Sequence, residues 1–455
     1  MRLKQELVES LSSVGRLYEV GGAVRDSLIS GQPQSKDIDF LVTGIPYRRL
    51  CSILRRFGRV DIVGRTFGVI KFSQPPNGTR PAAIFDFVLP RKEFSTGVGH
   101  RDFEVDFDHN LGVADDLARR DFTINAIARE VTTGEYVDPL NGRADIEAKR
   151  IRFTSPASFT EDPLRMLRAV QFAARFEFTV EPETLAAITA NASMIATVSP
   201  ERIAEELNKL LTRAEKPSLG FKLMQQTEML AEVLPELVAT IGVEQPGPYH
   251  AYPVFEHTLY TIDAAPPRLL LRMAALWHDI AKPQTKRETE DGATFYGHEA
   301  VGARLARSAL QRLRYSGRFI DEVSLLVEKH MFTTEVTDKG LRRLIRKLGE
   351  DLIFDLLDLR RADVVGQGMG GSTDDVDELQ HRIIAEIERK PPFGLHDLAI
   401  NGNQIMAELN LEEGKLVGEI LDHLLEMVLD DPNKNEYEIL LNEVKAYLHR
   451  EANGR

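Results

Sequence analysis

The sequence predicts an α+β fold: a small mixed sheet with helices at the start, followed by an all-helical neck, body and tail. Three observations predict it. Up to about residue 130, short apolar runs (Phe40–Val42, Val69–Phe72, Ile84–Leu89) alternate with turn clusters such as Pro75-Pro76-Asn77-Gly78, the punctuation of strands. From about residue 155 onward the texture is helical, with Leu164, Leu167, Arg168 and Phe172 recurring at helical spacing. A chain of 455 residues also exceeds what one core supports, which calls for two to four domains.

Taken in order, an amphipathic first helix precedes the strands, and Ser199-Pro200-Glu201 reads as an N-cap followed by proline at the first helical position. The cluster Gln245-Pro246-Gly247-Pro248 marks a boundary before a histidine-bearing region, and the loose stretch Gly366–Asp375 precedes a final helical segment. These signals divide the chain into 1–150, 151–243, 244–370 and 371–455. Composition excludes several classes. With 43% hydrophobic and 28% charged residues the chain is globular, its apolar runs are too short for a membrane span, and MRLKQELVES lacks a signal peptide's apolar core. A single cysteine, Cys51, fits a reducing cytoplasm and leaves no internal disulfide. A net charge of −13 does not favour nucleic acid, yet binding depends on local basic faces rather than totals.

The chemistry starts at Val20–Phe40, VGGAVRDSLISGQPQSKDIDF. Asp37 and Asp39 flank Ile38, so on a strand both carboxylates face one way and can share a metal pair. Magnesium takes carboxylate together with phosphate oxygens, and two such ions clamp the attacking and leaving oxygens of a phosphoryl displacement. Gly21-Gly22 lets backbone N–H groups approach a triphosphate, and Arg25 adds charge. Asp-x-Asp alone is more often a surface turn with solvated acids; the Gly-Gly at this spacing reverses the reading.

Gly21-Gly22-Ala23-Val24-Arg25-Asp26 with Asp37-Ile38-Asp39 resembles the first motif of the class II tRNA nucleotidyltransferase and bacterial poly(A) polymerase family, and later motifs follow in order over nearly the whole chain. The resemblance implies a polymerase-β-like catalytic head. It also implies a third carboxylate from a neighbouring strand, here Asp86 where family members often carry glutamate, and a nucleotide-binding Arg91. Arg119-Arg120-Asp121, with Asn125, matches the motif that contacts the ribose and phosphates of the incoming nucleotide, and Phe122 and Ile124 alternate like a buried strand or tight turn. The Gly-rich stretch Glu93–Asp102 corresponds to a flexible loop needed for the final adenosine addition.

In Glu161-Asp162-Pro163-Leu164-Arg165-Met166-Leu167-Arg168, Asp162 and Arg165 are spaced for one helical face, an acceptor beside a donor fork. Cytosine and adenine each offer an amino donor beside a ring-nitrogen acceptor, whereas uracil and guanine offer a carbonyl beside a ring N–H. One carboxylate and one guanidinium thus select C and A without a template. Asp-x-x-Arg is also the pattern of an ordinary helical salt bridge; the ordered motifs favour base reading, with Glu161 orienting Arg165 and Arg168 adding charge.

Downstream, His257, His278-Asp279, His298, His330 and Asp363 suit a transition metal or magnesium with open positions for water and phosphate. With Ala281-Lys282-Pro283 following, they resemble the metal-dependent HD phosphohydrolase domain fused to some nucleotidyltransferases, which implies nickel, manganese, cobalt or magnesium there and room for a second metal at His298 and His330. Near the end, Gly414-Lys415-Leu416-Val417-Gly418 before an apolar helix resembles the family tail that holds the tRNA elbow, although the usual proline after the first glycine is absent; a helix–turn–helix packing element reads equally well.

These readings converge on a cytoplasmic, magnesium-dependent enzyme that adds CMP and AMP to the tRNA 3′ end from CTP and ATP, with tRNA gripped at the acceptor end and elbow and neither DNA nor membrane as partner. An A-adding enzyme, a poly(A) polymerase, a phosphohydrolase with an inactive head, and a non-catalytic RNA-binding module are the alternatives.

Overall fold

The computed structural model describes residues 3–32, 38–63, 69–76, 82–95, 103–290, 292–389 and 393–453. The chain forms two compact units, Met1–Val238 and Ala239–Arg455.

In the first unit the strands are β1 (Arg16–Val20), β2 (Asp39–Thr43), β3 (Arg59–Val63), β4 (Val69–Gln74), β5 (Ala83–Val88), β6 (Arg91–Ser95), β7 (Phe103–Phe107), β8 (Ala128–Glu130), β9 (Tyr136–Val137) and a short parallel pair, β10 (Arg150–Ile151) with β11 (Thr179–Val180). Seven of them make one mixed sheet in the order β3-β4-β5-β2-β1-β8-β9, with β2 and β5 parallel and the other pairs antiparallel. Alternation along the strands decides which face is which. Phe40 and Val42 of β2 and Phe85 and Phe87 of β5 face one side, where they meet Leu7 and Leu11 of the first helix, Gln5–Ser12. Phe40 stacks on Phe87 at 5.2 Å and meets Phe85 edge-on at 5.7 Å; burying side chains of this size contributes about 1.5–3 kcal/mol each. The opposite parity sends Asp39 and Asp86 to the other face, beside Tyr18, Val20 and Leu41.

β6 and β7 pair antiparallel apart from the main sheet, and β6 contains the start of the Gly-rich stretch, Glu93–Ser95, while its residues 96–102 lie outside the described residues. Phe122 and Ile124 are fully buried, but the segment is a 3₁₀ turn over Thr123–Asn125, not a strand. Helices Leu164–Phe176 and Pro200–Arg213 then pack together, with Pro200 at the first helical position after extended Ser199, although the Ser199 hydroxyl makes no capping bond.

The second unit is helical apart from the small hairpin of Arg287–Thr289 with Gly292–Thr294. Its principal helices are Val254–Ala264, Leu269–Trp277, His298–Arg312, Gly317–Lys329 and Asp338–Gly366, the last broken at Gly349, where φ is +78°. The loose stretch expected over Gly366–Asp375 is shorter, because one helix runs through Gly366 and the next, Asp374–Glu388, starts at Asp374. The tail helices Gly402–Leu409, Lys415–Asp430 and Tyr437–Asn453 share a core around Ile405, Ile420 and Leu424. Buried Arg342 ties them to the long helix, donating to Glu386 at 2.9 Å, the Leu429 carbonyl at 2.6 Å and the Asp430 carbonyl at 3.1 Å. Among the described residues, no helix is long and apolar enough to cross a membrane.

Candidate active site and candidate metal centre

The cleft of the first unit begins where β1 ends. Gly21 has φ +75°, which L side chains rarely adopt, and starts the helix Gly22–Ser30. A Cβ at Gly21 would meet Arg120 Nη1 at 3.2 Å and Asp39 Oδ2 at 3.6 Å, so glycine lets both groups close over the backbone. Asp39 and Asp86 are register partners on the parallel pair β2–β5, and Lys71 of β4 donates to both Asp86 oxygens at 3.1 Å. Two adjacent carboxylates, one already attracting a cation, form a donor set that fits magnesium. Asp37 lies outside the described residues.

A cavity of about 570 Å³ is lined by Asp39, Asp86, Arg91, Arg119, Arg120, Asp121, Glu161, Asp162, Arg165 and Arg168, together with Arg202. An adjoining one of about 280 Å³ shares Asp39, Arg120, Asp121 and Arg168 and adds Gly21, Gly22, Arg25 and Asn125. Apart from Asp37, the residues of this unit singled out along the sequence are therefore brought together here, and several of their charged side chains are held by a second group. Fully buried Asp116 accepts from Arg119 Nε at 3.0 Å and Arg120 Nη2 at 3.2 Å. Asp121 accepts from Asn125 Nδ2 at 2.9 Å and from Arg168 Nε and Nη2 at 2.9 and 2.7 Å. Burial opposes its ionisation, but Arg168 and Asn125 outweigh burial and hold the carboxyl below its ordinary value; in return Asp121 raises the Arg168 pKa. Arg25 is buried, donates to Asn125 Oδ1 at 2.6 Å and lies 4.8 Å from the ring centres of both Phe172 and Phe176.

The expected single helical face for Asp162 and Arg165 is not what forms. Asp162 ends the short helix Ser158–Glu161 with φ −142° and ψ 98°, and Arg165 belongs to the next helix, Leu164–Phe176. The cause is Pro163, whose ring disfavours helical backbone in the residue before it. Nor do the two side chains pair with each other. Asp162 accepts from Arg202 Nη1 and Nη2 at 3.2 and 2.8 Å. Arg165 donates to Glu161 Oε2 at 3.2 Å, Ser158 Oγ at 3.0 Å and the Arg119 carbonyl at 3.2 Å.

In the second unit the six predicted groups converge, His257, His298 and Asp363 from three helices and His278, Asp279 and His330 from just beyond the ends of two more. His257 Nε2 lies 3.1 Å from His278 Nε2, 3.2 Å from Asp279 Oδ2 and 3.1 Å from Asp363 Oδ1. His298 Nε2 lies 3.1 Å from His330 Nε2 and 3.2 Å from Asp279 Oδ1. Asp279 thus turns one oxygen to each histidine pair, so it would serve a metal ion held at either pair. His278, His298 and His330 each donate from Nδ1 to the carbonyl three residues back, Ala275, Phe295 and Val327, at 2.8, 2.7 and 2.7 Å. In a neutral ring that leaves Nε2 as a lone pair, and Nε2 of His298 faces Nε2 of His330, an arrangement that repels unless a proton or a metal cation lies between them. Adjacent ligands about 2.0–2.1 Å from one metal are themselves roughly 3.0–3.4 Å apart, which these separations match. Burial opposes charge on His257, yet its bonds to Asp279 and Asp363 hold its pKa up at about 9; burial and the neighbouring His278 push His330 down to about 3.

Several participants escape the sequence reading. Arg202 and Asp116 support the cleft from other elements, and no short spacing marks Arg202 as a partner of Asp162. His250 forms a further possible ligand group with His257 and Asp363, and Lys282 donates to Asp279 at 2.7 Å and to Gln245 at 2.5 Å. The Lys282 signal was present in the Ala281-Lys282-Pro283 run.

Residues 17–152 match the poly A polymerase head domain, 177–240 the RNA- and SrmB-binding site of polymerase A, and 295–444 the second domain of tRNA nucleotidyltransferases. The Multifunctional CCA protein of Shewanella frigidimarina (strain NCIMB 400) is 34% identical over 326 residues, 69% of this chain and 73% of that protein. That of Burkholderia pseudomallei (strain K96243) is 35% identical over 345 residues, 73% and 79% respectively. The Bacillus stearothermophilus CCA-adding enzyme in complex with CTP superposes with a TM-score of 0.72 at 23% identity, covering 99% of this chain and 98% of that one. The Thermotoga maritima CCA-adding enzyme complexed with tRNA gives 0.57 at 20% identity, covering 98% and 97%. At these identities the two structures establish a common fold.

Proposed function

Because the chain belongs to the family of multifunctional CCA proteins, we propose that it is a template-independent tRNA nucleotidyltransferase, adding CMP and AMP to the tRNA 3′ end from CTP and ATP with release of diphosphate. The observation that carries this reading is the meeting of Asp39 and Asp86 with the Asp162–Arg165 pair in one cavity, phosphoryl chemistry beside a base-reading edge. Asp37, Asp39 and Asp86 would hold magnesium, which when bound neutralises phosphate charge and activates the RNA 3′-hydroxyl. Gly21, Gly22, Arg25, Arg91, Arg119, Arg120 and Arg168 supply the amides and positive charge of a triphosphate site, with Asp116 and Asp121 holding the guanidiniums in place. Asp162 accepts from the exocyclic amine of C or A, and Arg165 donates to the adjacent ring nitrogen.

The six groups His257, His278, Asp279, His298, His330 and Asp363 constitute an HD-type phosphoesterase centre for one or two divalent ions of nickel, manganese, cobalt or magnesium. The position of Asp279 between the two histidine pairs and the backbone-fixed imidazoles support this assignment. We assign 1–150 to the catalytic head, 151–243 to the base- and RNA-binding neck, 244–370 to the phosphoesterase body and 371–455 to a tail that contacts the tRNA elbow.

The test is incubation of tRNA ending in the discriminator base, CC or CCA with each nucleotide separately. Stepwise products that stop at CCA support the reading. Addition of A alone, or a long A tract, replaces it with an A-adding enzyme or a poly(A) polymerase.

A further inference from the structure

The reading pair is made of opposite charges three residues apart, yet its members do not touch. Left alone, Asp162 and Arg165 have every electrostatic reason to pair, which would bury the acceptor and the donor that a nucleobase needs. Arg202 of the helix Pro200–Arg213 stands in the way. Its two terminal nitrogens fork onto the two oxygens of Asp162 at 3.2 and 2.8 Å, and it lines the same cavity. The Leu164 backbone N–H also donates to Oδ1 at 3.2 Å, so Oδ1 carries two bonds and Oδ2 carries one. Oδ2 therefore keeps an acceptor direction for an incoming amine. The extended backbone of Asp162 before Pro163 takes it off the helix that carries Arg165, and the fork from a helix forty residues further along sets which of its oxygens is doubly bonded.

We propose that Arg202 is a specificity-positioning residue: it draws Asp162 away from Arg165 and aims Oδ2 at the amino group of cytosine or adenine. The inference rests on the base-reading role of Asp162 and Arg165. A bidentate fork does this where a point charge cannot, so lysine is a poor substitute.

The test is kcat/KM for CTP, ATP, UTP and GTP on truncated tRNA with wild type, Arg202→Ala, Arg202→Lys, Asp162→Ala and the double variant Asp162→Ala/Arg202→Ala, alongside thermal melting. The expected result is a loss of about ten- to a hundred-fold for CTP and ATP in both Arg202 variants, a much smaller loss for UTP and GTP, and a double variant within about two-fold of Asp162→Ala. Equal losses for all four nucleotides, full selectivity in Arg202→Lys, or additive losses in the double variant would overturn the proposal and leave Arg202 as a packing ion pair between helices. If Arg202→Ala does not fold, Arg202→Lys alone decides on the same selectivity criterion. If Asp162→Ala itself keeps the C and A preference, it is the underlying base-reading role that fails.

Discussion

The cleft of the first unit and the histidine centre of the second hold their reactive groups by opposite means. In the cleft, key side chains are fixed by other side chains, several of them from well outside their own element: Arg25 by Asn125 across 100 residues, Arg168 by Asp121 across 47, Asp162 by Arg202 across 40. In the histidine centre, three imidazoles are fixed by the carbonyl three residues back on their own backbone. The difference teaches where each site is fragile. Substitutions can remove a side-chain support, whereas a backbone carbonyl survives any replacement of the residue that carries it.

The largest effects should separate the two regions outright. Asp39→Ala, and likewise Asp37→Ala, should reduce nucleotide incorporation by on the order of 10³-fold or more while the phosphoesterase activity proposed for the histidine centre stays near wild type. Radiolabelled CTP and ATP incorporation beside a chromogenic phosphodiester assay reads both at once. Asp279→Ala should do the reverse and remove bound metal from both positions, measured as metal per chain by elemental analysis; metal retained at wild-type stoichiometry would exclude its role at both histidine pairs.

Smaller effects sharpen the contrast between the two kinds of support. Asp116→Asn withdraws a buried charge from beneath Arg119 and Arg120, and should lower kcat/KM for transfer by about ten- to a hundred-fold and stability by about 1–3 kcal/mol. Val327→Ala keeps the carbonyl that receives His330. It should cost about 1–3 kcal/mol of stability through lost packing, seen in a chemical melt, with metal stoichiometry unchanged. Loss of metal in that variant would mean that packing, rather than the carbonyl, orients the ring.

The same contrast explains what was legible in the sequence. Local supports write themselves as motifs, so His278-Asp279 and the ordered histidines could be read directly, as could strands β2, β4 and β5 from their apolar runs. The helix start at Pro200 was legible too, because proline at the first helical position is a local backbone restriction, although the Ser199 hydroxyl does not cap it. What stayed hidden is non-local. Nothing near Asp162 announces Arg202, and nothing near Arg342 announces that it will bind carbonyls of the tail, which also means that removing the tail would strand a buried guanidinium. The Asp162–Arg165 spacing reads as one helical face only as long as the restriction that Pro163 places on the residue before it is left out.

The most direct measurement of the central claim is the nucleotide preference of Asp162→Ala, taken as kcat/KM for all four nucleotides on truncated tRNA. Removing an acceptor that reads the amino group of C and A leaves that group unpaired, which costs on the order of 1–3 kcal/mol, roughly 5- to 150-fold. The account predicts that loss for CTP and ATP, with UTP and GTP far less affected, so that selectivity collapses together with rate. An equal loss for all four nucleotides, or an intact preference for C and A, would contradict it.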